Sequence, residues 1–577
     1  MNDGSERSDE VENLIVGQIA KLQQEACEIW AGHEQEAVIA IVRALDTVAV
    51  VKLMDAHHEV PTRRDEARHY AIRGAATALR PFLEKIRDIP GGLPWGPINP
   101  DLLDFTYSYI AGCGKLVHLH RMASLKRFGL AKTNVSDETV TIETSLGLEE
   151  FVQRYAMEAL KSDQTPTPVH GKKRTRDILR RMRAYVGSVD GWFIRYDNDM
   201  EIVHTYRHNA AEYGVDFLEG EALPDEVVIG DRSFAKWREA CDQALGRILC
   251  HIDFCHHLRQ KCPGIALGNV MTIFARKNDI EDVWREAGLP ADQVAPTMRA
   301  LTLSAVDMEA WERDFEVPCP IYIELGRDFL LLPCFGVLTN PYFALFRHLR
   351  VVHRPLWDNA VDEREKLFRR DLASIFKGPR YVPDHGYLLK RPNKSPLTDI
   401  DAIIVDTKSG SLAFIQFKWQ DVFGHSLNER DSRRKNLREQ GNEWVERITS
   451  WIDGRSAAEV ARKLSVKGVR SPNPPSLYVV ARYMARFSGE KERDSRATWM
   501  SWFEMAHLFP CLDESNPLES VSQVVADYRR QFSVAEPLTQ KFEFPDLTVE
   551  LKTHMSLEES IQQSPHIDTS VSAPPSK

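Results

Sequence analysis

The sequence lacks an apolar run long enough to cross a membrane. Its nearest approach, residues 329–338, is short and contains Pro333, whereas a membrane-spanning helix needs about 20 consecutive apolar residues. The first residues, MNDGSERSDEVEN, are acidic and polar, unlike the basic and then apolar pattern of a secretory signal. We therefore expect a protein without a membrane partner.

Cysteine framework spacing is also missing. The nine cysteines are odd in number and scattered, a pattern that favours reduced thiols and a cytoplasmic location over a secreted disulfide scaffold. The segment Gly112-Cys-Gly-Lys115 lacks the spacing of a Walker motif and the Ser or Thr that follows its lysine. Nothing in the chain therefore indicates a phosphate-binding loop of that kind.

Net positive charge is absent as well, since the formal net charge is −10. Binding to nucleic acid would therefore depend on local basic clusters, because the protein as a whole repels phosphate. The candidates lie in two clusters: Lys172, Lys173 and Arg174, and then Arg430, Arg433, Arg434 and Lys435. Such clusters are equally typical of a solvated helix face, and the sequence leaves both interpretations open.

At 577 residues the chain is too long for one hydrophobic core and should form several domains. Hydrophobic periodicity and linker composition predict the following division: a mainly helical N-terminal domain (1–160), a basic linker and helix (161–185), a mixed α+β middle domain (186–350), an α/β domain (351–515) and a C-terminal helix with a disordered tail (516–577). The N-terminal helical region is a candidate surface for a protein partner or a homo-oligomer.

The most informative stretch is residues 397–419, LTDIDAIIVDTKSGSLAFIQFKW. It predicts a hairpin whose strands, 400–405 and 412–419, are joined by a turn around Gly410. Because side chains alternate along a strand, Asp399 and Asp401 share one face of the first strand, and Gln416 and Lys418 share one face of the second. The same charges would also suit a half-exposed hairpin whose polar side chains simply face water.

Asp and Lys at these positions suit phosphodiester chemistry. A carboxylate is a hard oxygen ligand of the kind that Mg²⁺ prefers. A neighbouring lysine can orient a water molecule or balance the charge that grows on a phosphate during its transfer. The flanking sequence predicts an amphipathic helix at 358–376 containing Glu365, a helix from 426 towards Trp451, and strands at 476–483 and within 498–508.

The motif Asp399-Ile-Asp401, an aliphatic strand, a glycine turn and Gln416-Phe-Lys418 resembles the PD-(D/E)XK, or restriction-endonuclease-like, nucleases over about residues 358–510. The resemblance implies an αβββαβ core and a site that binds Mg²⁺ or Mn²⁺. In it, Asp401 matches the metal-binding aspartate, and Gln416 stands where an acid is usual. Lys418 matches the catalytic lysine, while Asp399 and Glu365 are candidate additional ligands.

The expected function is metal-dependent hydrolysis of DNA, in restriction, repair or defence against foreign DNA. Two alternatives remain open. An RNA nuclease would use the same residues, and a catalytically weakened module would bind nucleic acid or protein without cutting. The second alternative is motivated by Gln416, because a neutral amide binds a divalent cation less strongly than a carboxylate does.

Overall fold

The computed structural model describes residues 10–54, 63–90, 92–136, 139–145, 147–162, 172–214, 217–304, 321–360, 363–384, 386–419, 427–490, 493–532 and 538–553. The chain is a mixed α/β protein, 58% helical and 18% strand, with several small sheets. This confirms the predicted mixed fold class. Within the described residues, no helix combines the length and the apolar character that a bilayer crossing requires.

The helices follow one another along the whole chain. They are α1 (Glu10–Ile29), α2 (Glu34–Met54), α3 (Arg63–Ile86), α4 (Pro100–Ser124), α5 (Leu148–Ser162), α6 (Lys172–Tyr185), α7 (Met200–Gly214), α8 (Phe234–Lys261), α9 (Leu267–Val270), α10 (Lys277–Glu286), α11 (Ala291–Leu301), α12 (Cys334–Thr339), α13 (Pro341–Val352), α14 (Arg354–Ala360), α15 (Arg364–Ile375), α16 (Leu427–Ile452), α17 (Ala457–Leu464), α18 (Trp502–Leu508) and α19 (Pro517–Arg530).

The strands form small sheets between these helices. They are β1 (Ala131–Ser136), β2 (Thr139–Thr144), β3 (Gly187–Val189), β4 (Phe193–Arg195), β5 (Val228–Ile229), β6 (Arg232–Ser233), β7 (Ile273–Arg276), β8 (Thr302–Leu303), β9 (Tyr322–Leu325), β10 (Phe329–Leu332), β11 (Tyr381–Asp384), β12 (Tyr387–Lys390), β13 (Pro396–Ile400), β14 (Ala402–Asp406), β15 (Ser411–Lys418), β16 (Ser476–Ala481), β17 (Thr498–Ser501), β18 (Leu538–Phe544) and β19 (Leu547–Thr553).

The N-terminal helices and the middle region share one hydrophobic core. Phe82 on α3 and Trp237 on α8 belong to the same buried cluster. Asp46 on α2 is fully buried and accepts a hydrogen bond from the Phe335 amide, at 2.9 Å, at the start of α12. The predicted boundaries at residues 160 and 185 therefore do not separate two cores, because nonlocal packing joins the segments on both sides.

The last two described strands, β18 and β19, join β1 and β2 in a four-stranded sheet with strand order β1, β2, β19, β18. β19 runs parallel to β2, with Val549 opposite Val140, and α1 and α4 cover the sheet through a buried cluster that includes Ile15 and Val117. The β18–β19 hairpin is an addition to the predicted C-terminal segment, whose helix is present as α19 and whose disordered tail stays a prediction. Residues 554–577 lie outside the described residues.

A five-stranded sheet with strand order β11, β14, β15, β16, β17 forms the C-terminal half. β11, β14 and β15 are antiparallel to their neighbours in that order, whereas β15, β16 and β17 run parallel. The predicted hairpin is present as β14 and β15, with Ala402 opposite Ile415 and Asp406 opposite Ser411. This pairing confirms that the two strands are neighbours and fixes their register.

Alternation along β14 and β15 decides which helices each face meets. Ile403 and Phe414 pack in the cluster that contains α16 and α17. Ile404 and Ile415 pack in the opposite cluster, together with side chains of α5, α15 and α19. By the same alternation Asp401, Gln416 and Lys418 belong to the face that α16 covers.

Two predicted elements are divided in the structure. The expected strand across Asp399 and Asp401 is broken at Asp401, which lies between β13 and β14. β13 pairs instead with β12 in a separate two-stranded sheet, in which Leu388 is opposite Asp399. The predicted helix 358–376 becomes α14 and α15, and residues 361–362 between them lie outside the described residues.

Candidate functional site

Asp401 and Gln416 meet at the end of the five-stranded sheet. Asp401 follows β13 and its side chain is buried, and Gln416 lies near the end of β15. The Gln416 Nε2 donates a hydrogen bond to Asp401 Oδ2 at 2.6 Å, and the Phe417 amide donates to the same oxygen at 2.6 Å. The structure therefore brings together the predicted acid and amide.

Burial makes this carboxyl group a weaker acid than an ordinary aspartate. Removal from water raises the pKa of Asp401 to about 7 from the ordinary 3.8, and the nearby negative charge of Glu365 adds to the rise. The Phe417 amide and the positive charge of Lys418 oppose it. A perturbed acid at the edge of a sheet is a recognised sign of a functional site, because folding alone gains nothing from an unfavourable charge.

Lys418 lies two residues beyond Gln416, on the same face of β15. Its Nζ donates to Gln440 Oε1 on α16 at 3.1 Å. One helical turn later, Trp444 Nε1 donates to the Asp399 carbonyl oxygen at 2.7 Å. Residues four apart share a helix face, so α16 holds both the lysine and the strand that leads into Asp401.

Arg369 on α15 reaches the same point from the other face of the sheet. Its Nε donates to the Asp401 carbonyl oxygen at 2.9 Å, and its Nη2 lies 3.4 Å from Glu365 Oε2. Gly386 lies so close that an added Cβ would be 2.7 Å from the Ile400 carbonyl oxygen. The turn before β12 therefore needs glycine for close approach. Sequence reasoning missed Arg369, because nothing local to α15 indicates that it contacts Asp401.

Asp399 occupies a different position from Asp401. Its side chain is exposed, opposite Leu388 in the β12–β13 hairpin, although its charge is near enough to contribute to the raised pKa of Asp401. Glu365 is half exposed at the start of α15. Both stay predicted ligands, and both lie near Asp401 without a hydrogen bond between their carboxylates and its side chain among the described contacts.

Oxygen ligands for a divalent cation are few around Asp401. No group of three or more His, Cys, Asp or Glu side chains with suitable geometry occurs in the described part of the chain. Gln416 Oε1, however, is buried and has no hydrogen-bond partner within the described residues. A carboxylate and an amide oxygen are hard oxygen ligands of the kind that Mg²⁺ and Mn²⁺ take alongside water and substrate phosphate.

Two of the predicted nucleic-acid contacts are corrected. Arg430 and Arg434 on α16 are buried. Arg430 forms an ion pair with Glu150 on α5, and Arg434 donates to Asp431 at 2.5 Å and to the Gly489 carbonyl oxygen at 3.2 Å. These guanidinium groups face the interior and stabilise packing between α5, α16 and the 484–489 segment, so they are not placed to contact phosphate.

The remaining basic candidates are placed unequally. Lys435 is exposed and forms an ion pair with Asp431 at 2.7 Å, and Arg433 is half-buried. Lys172, Lys173 and Arg174 form the first turn of α6, but their side chains lie outside the described residues. These five residues stay predicted contacts.

Arg482 connects the site to the middle region. Its backbone amide donates to the Lys418 carbonyl oxygen at 2.9 Å, and its buried guanidinium lies 4.8 Å from the Trp419 ring. The same group bonds Asp371 on α15 at 2.6 Å and Glu221 in a 3-10 turn of the middle region at 2.9 Å. Such nonlocal contacts carry no sequence signal, and sequence reasoning missed them.

Comparisons with family models, with curated protein sequences and with solved structures found no match to this chain.

Proposed function

We propose that this chain is a metal-dependent nuclease that hydrolyses DNA phosphodiester bonds. The observation that carries the proposal is the hydrogen bond between the buried Asp401 carboxylate and Gln416, with Lys418 two residues further along the same strand face. An acid, an amide oxygen and an amine at one strand end are the groups that a PD-(D/E)XK-like site uses in its Gln-x-Lys form.

The surrounding elements support a restriction-endonuclease-like core. A helix, α15, precedes the antiparallel strands β11, β14 and β15, and α16 then leads to the parallel strand β16. This order is that of the αβββαβ core which the sequence resemblance implies. The insertion of the β12–β13 hairpin between β11 and β14 departs from the simplest form of that order.

Asp401 and Gln416 would hold the cation once the Gln416 amide turns its Oε1, instead of Nε2, towards the carboxylate, and Glu365, whose charge reaches Asp401, would be a further ligand. A bound Mg²⁺ or Mn²⁺ would polarise the phosphoryl oxygen and increase the acidity of a bound water. Lys418 Nζ, held by Gln440, would orient the attacking water and balance the negative charge that accumulates on the phosphate. Arg369 would fix the Asp401 main chain so that its carboxylate stays directed towards Gln416.

A cleavage assay with the purified full chain tests the proposal. Double-stranded DNA, single-stranded DNA and RNA are each incubated with Mg²⁺, Mn²⁺ or EDTA. Wild type should cut DNA only with a metal, and Asp401→Asn or Lys418→Ala should slow cutting by at least about 100-fold, the usual effect of losing an electrostatic or acid–base group. Lys467→Ala is the control. It removes an exposed lysine beside the β14–β15 turn, away from Asp401, and should leave cleavage unchanged.

Gln416→Glu separates the metal's role from the lysine's. A carboxylate binds Mg²⁺ more strongly than an amide does, so this variant should reach half-maximal cleavage at a lower metal concentration than wild type. Equal cleavage by wild type, Asp401→Asn and Lys418→Ala would remove these residues from the mechanism.

A catalytically weakened binding module is the second candidate, and two observations favour it. Gln416 supplies no charge, and the described carboxylates form no three-ligand cluster. This candidate predicts that the protein retards DNA in a gel but cuts neither DNA nor RNA with any divalent metal. Cleavage of RNA alone would instead assign the site to an RNA nuclease.

A further inference from the structure

The β12–β13 hairpin projects from the five-stranded sheet at the candidate site. Leu389 and Ile400 are buried in the cluster that contains α16, so one face of the hairpin is fixed to the core. Its base is held by the bond from Trp444 to the Asp399 carbonyl oxygen. The hairpin is therefore attached next to Asp401 and extends from there.

The far end of this hairpin is basic. Lys390, Arg391 and Lys394 lie within five consecutive positions, and all three side chains are exposed. In the described part of the chain none of them forms an ion pair, in contrast to Lys435 with Asp431. Unpaired cations concentrated at one tip stand out in a chain whose formal net charge is −10.

Backbone hydrogen bonds give the tip a defined shape. The Arg391 amide donates to the Ser395 carbonyl oxygen at 2.8 Å, and the Lys394 amide donates to the Arg391 carbonyl oxygen at 2.8 Å. Lys394 itself has a positive φ of 66°. A turn that is already ordered presents its cations with less loss of conformational entropy on binding than a flexible loop would.

The length of the hairpin limits how far its tip can lie from Asp401, and this limit can be expressed in base pairs of duplex DNA. Five residues separate Asp401 from Pro396, which is paired with Lys390, and a strand rises about 3.4 Å per residue. Lys390 therefore lies within about 17 Å of Asp401 along the hairpin, and Lys394 within about 24 Å. Since base pairs are also about 3.4 Å apart, these upper limits correspond to at most about five and seven base pairs.

We propose that Lys390, Arg391 and Lys394 at the tip of the β12–β13 hairpin bind the backbone of duplex DNA within about seven base pairs of the phosphate held at Asp401. This inference rests on the proposed nuclease function and adds the substrate form and its position. Phosphate contacts of this kind position a duplex without reading its sequence. The hairpin therefore acts as a positioning element and leaves the chemistry to Asp401 and Lys418.

The test compares wild type with the triple variant Lys390→Gln, Arg391→Gln and Lys394→Gln. A control triple, Lys408→Gln, Arg462→Gln and Lys467→Gln, removes the same charge near the β14–β15 turn, at the opposite end of the sheet. Affinity for a 30-base-pair DNA duplex is measured from 50 to 250 mM salt in Ca²⁺, and cleavage is measured in Mg²⁺ and Mn²⁺. Hydrogen exchange in β14 and β15 verifies that the variants are folded.

The tip variant should bind duplex DNA about 10- to 100-fold more weakly than the control. Its plot of log affinity against log salt should also be less steep by about 2 to 3, because each lost phosphate contact reduces the magnitude of the slope by about 0.9. On duplexes shortened to four base pairs on one side of the mapped cut, wild type should lose affinity and the tip variant should not. Cleavage by wild type combined with identical slopes for the two triple variants would overturn this inference alone.

Failure of wild type to bind or cut any DNA would instead refute the proposed function on which the inference depends. If the tip variant lost affinity only for single-stranded DNA or for RNA, relative to the control variant, the assignment of the tip to duplex DNA would be overturned.

Discussion

Asp401→Asn should stabilise the fold, and the stabilisation should increase as the pH rises. The carboxylate is buried with its pKa raised to about 7, whereas an unfolded aspartate keeps a value near 3.8. Between these two values the folded state holds a proton that the unfolded state has released, so stability falls as pH rises. Asn retains an oxygen that can accept from Gln416 and Phe417, and it carries no charge to bury.

The size of the effect follows from the two pKa values. At 1.36 kcal/mol per pH unit, the charged form costs wild type about 4 kcal/mol at pH 8 and under 2 kcal/mol at pH 5. The stability difference between Asp401→Asn and wild type should therefore widen by about 2 to 3 kcal/mol over that range. Below about pH 3 the difference should stop changing with pH, because Asp401 is then protonated in both the folded and the unfolded state of wild type.

Native-state hydrogen exchange of the β14 and β15 amides is the suitable assay, because a chain with several cores does not unfold in one step. The two proteins are compared at each pH, so that the intrinsic exchange rates cancel. Asp399→Asn is the matched control, since its side chain is exposed and the change should stay within about 0.5 kcal/mol. A pH-independent difference, or a less stable Asp401→Asn protein at pH 8, would refute the assignment of Asp401 as a buried carboxylate with a raised pKa.

Two further substitutions test the packing behind the site, and both are measured by native-state hydrogen exchange of the amides in β15, β16 and β17. Arg486→Met leaves the fully buried Glu504 carboxylate, 2.5 Å from Arg486 Nη2, without its cation. We expect a loss of about 3 to 5 kcal/mol and a smaller loss when Glu504 is also replaced by Met. Gly441→Ala places a methyl group 2.2 Å from the Trp499 ring and should cost about 1 to 3 kcal/mol. Gly17→Ala, in an open helical position, should stabilise by up to about 1 kcal/mol, and equal effects of the two glycine substitutions would contradict the Trp499 contact.

The elements that local pattern specifies were predictable from the sequence. Alternation and the Gly410 turn are enough to place β14 beside β15, because a hairpin is set by neighbouring residues and its turn. The same alternation brings Gln416 to the face of Asp401. The helical periodicity from residue 426 predicts α16. The helix continues through Gly441, where the Trp499 ring leaves no room for a Cβ.

What the sequence did not predict depends on contacts between distant segments. Strand β19 (Leu547–Thr553) pairs with β2 although about 400 residues separate them, and no local pattern encodes such a partner. The basic residues Arg430 and Arg434 have the composition of a surface cluster. They are buried because Glu150 approaches from α5 and the Gly489 carbonyl accepts from the other side. Composition predicts exposure only when no partner is brought in by the fold.

The break in the strand at Asp401 explains why the site cannot be reduced to the β14–β15 hairpin. The Asp401 amide still donates to the Ile415 carbonyl oxygen on β15 at 3.1 Å, but its carbonyl oxygen leaves the strand ladder and needs another donor. Arg369 holds its carbonyl from α15, and Trp444 holds the preceding strand from α16, on opposite faces of the sheet. Through Arg482, the end of β15 is also bonded to Glu221 of the middle region. The Asp401 carboxylate is thus held by β15, its carbonyl oxygen by α15 and the strand before it by α16, while Arg482 ties the end of β15 to the middle region.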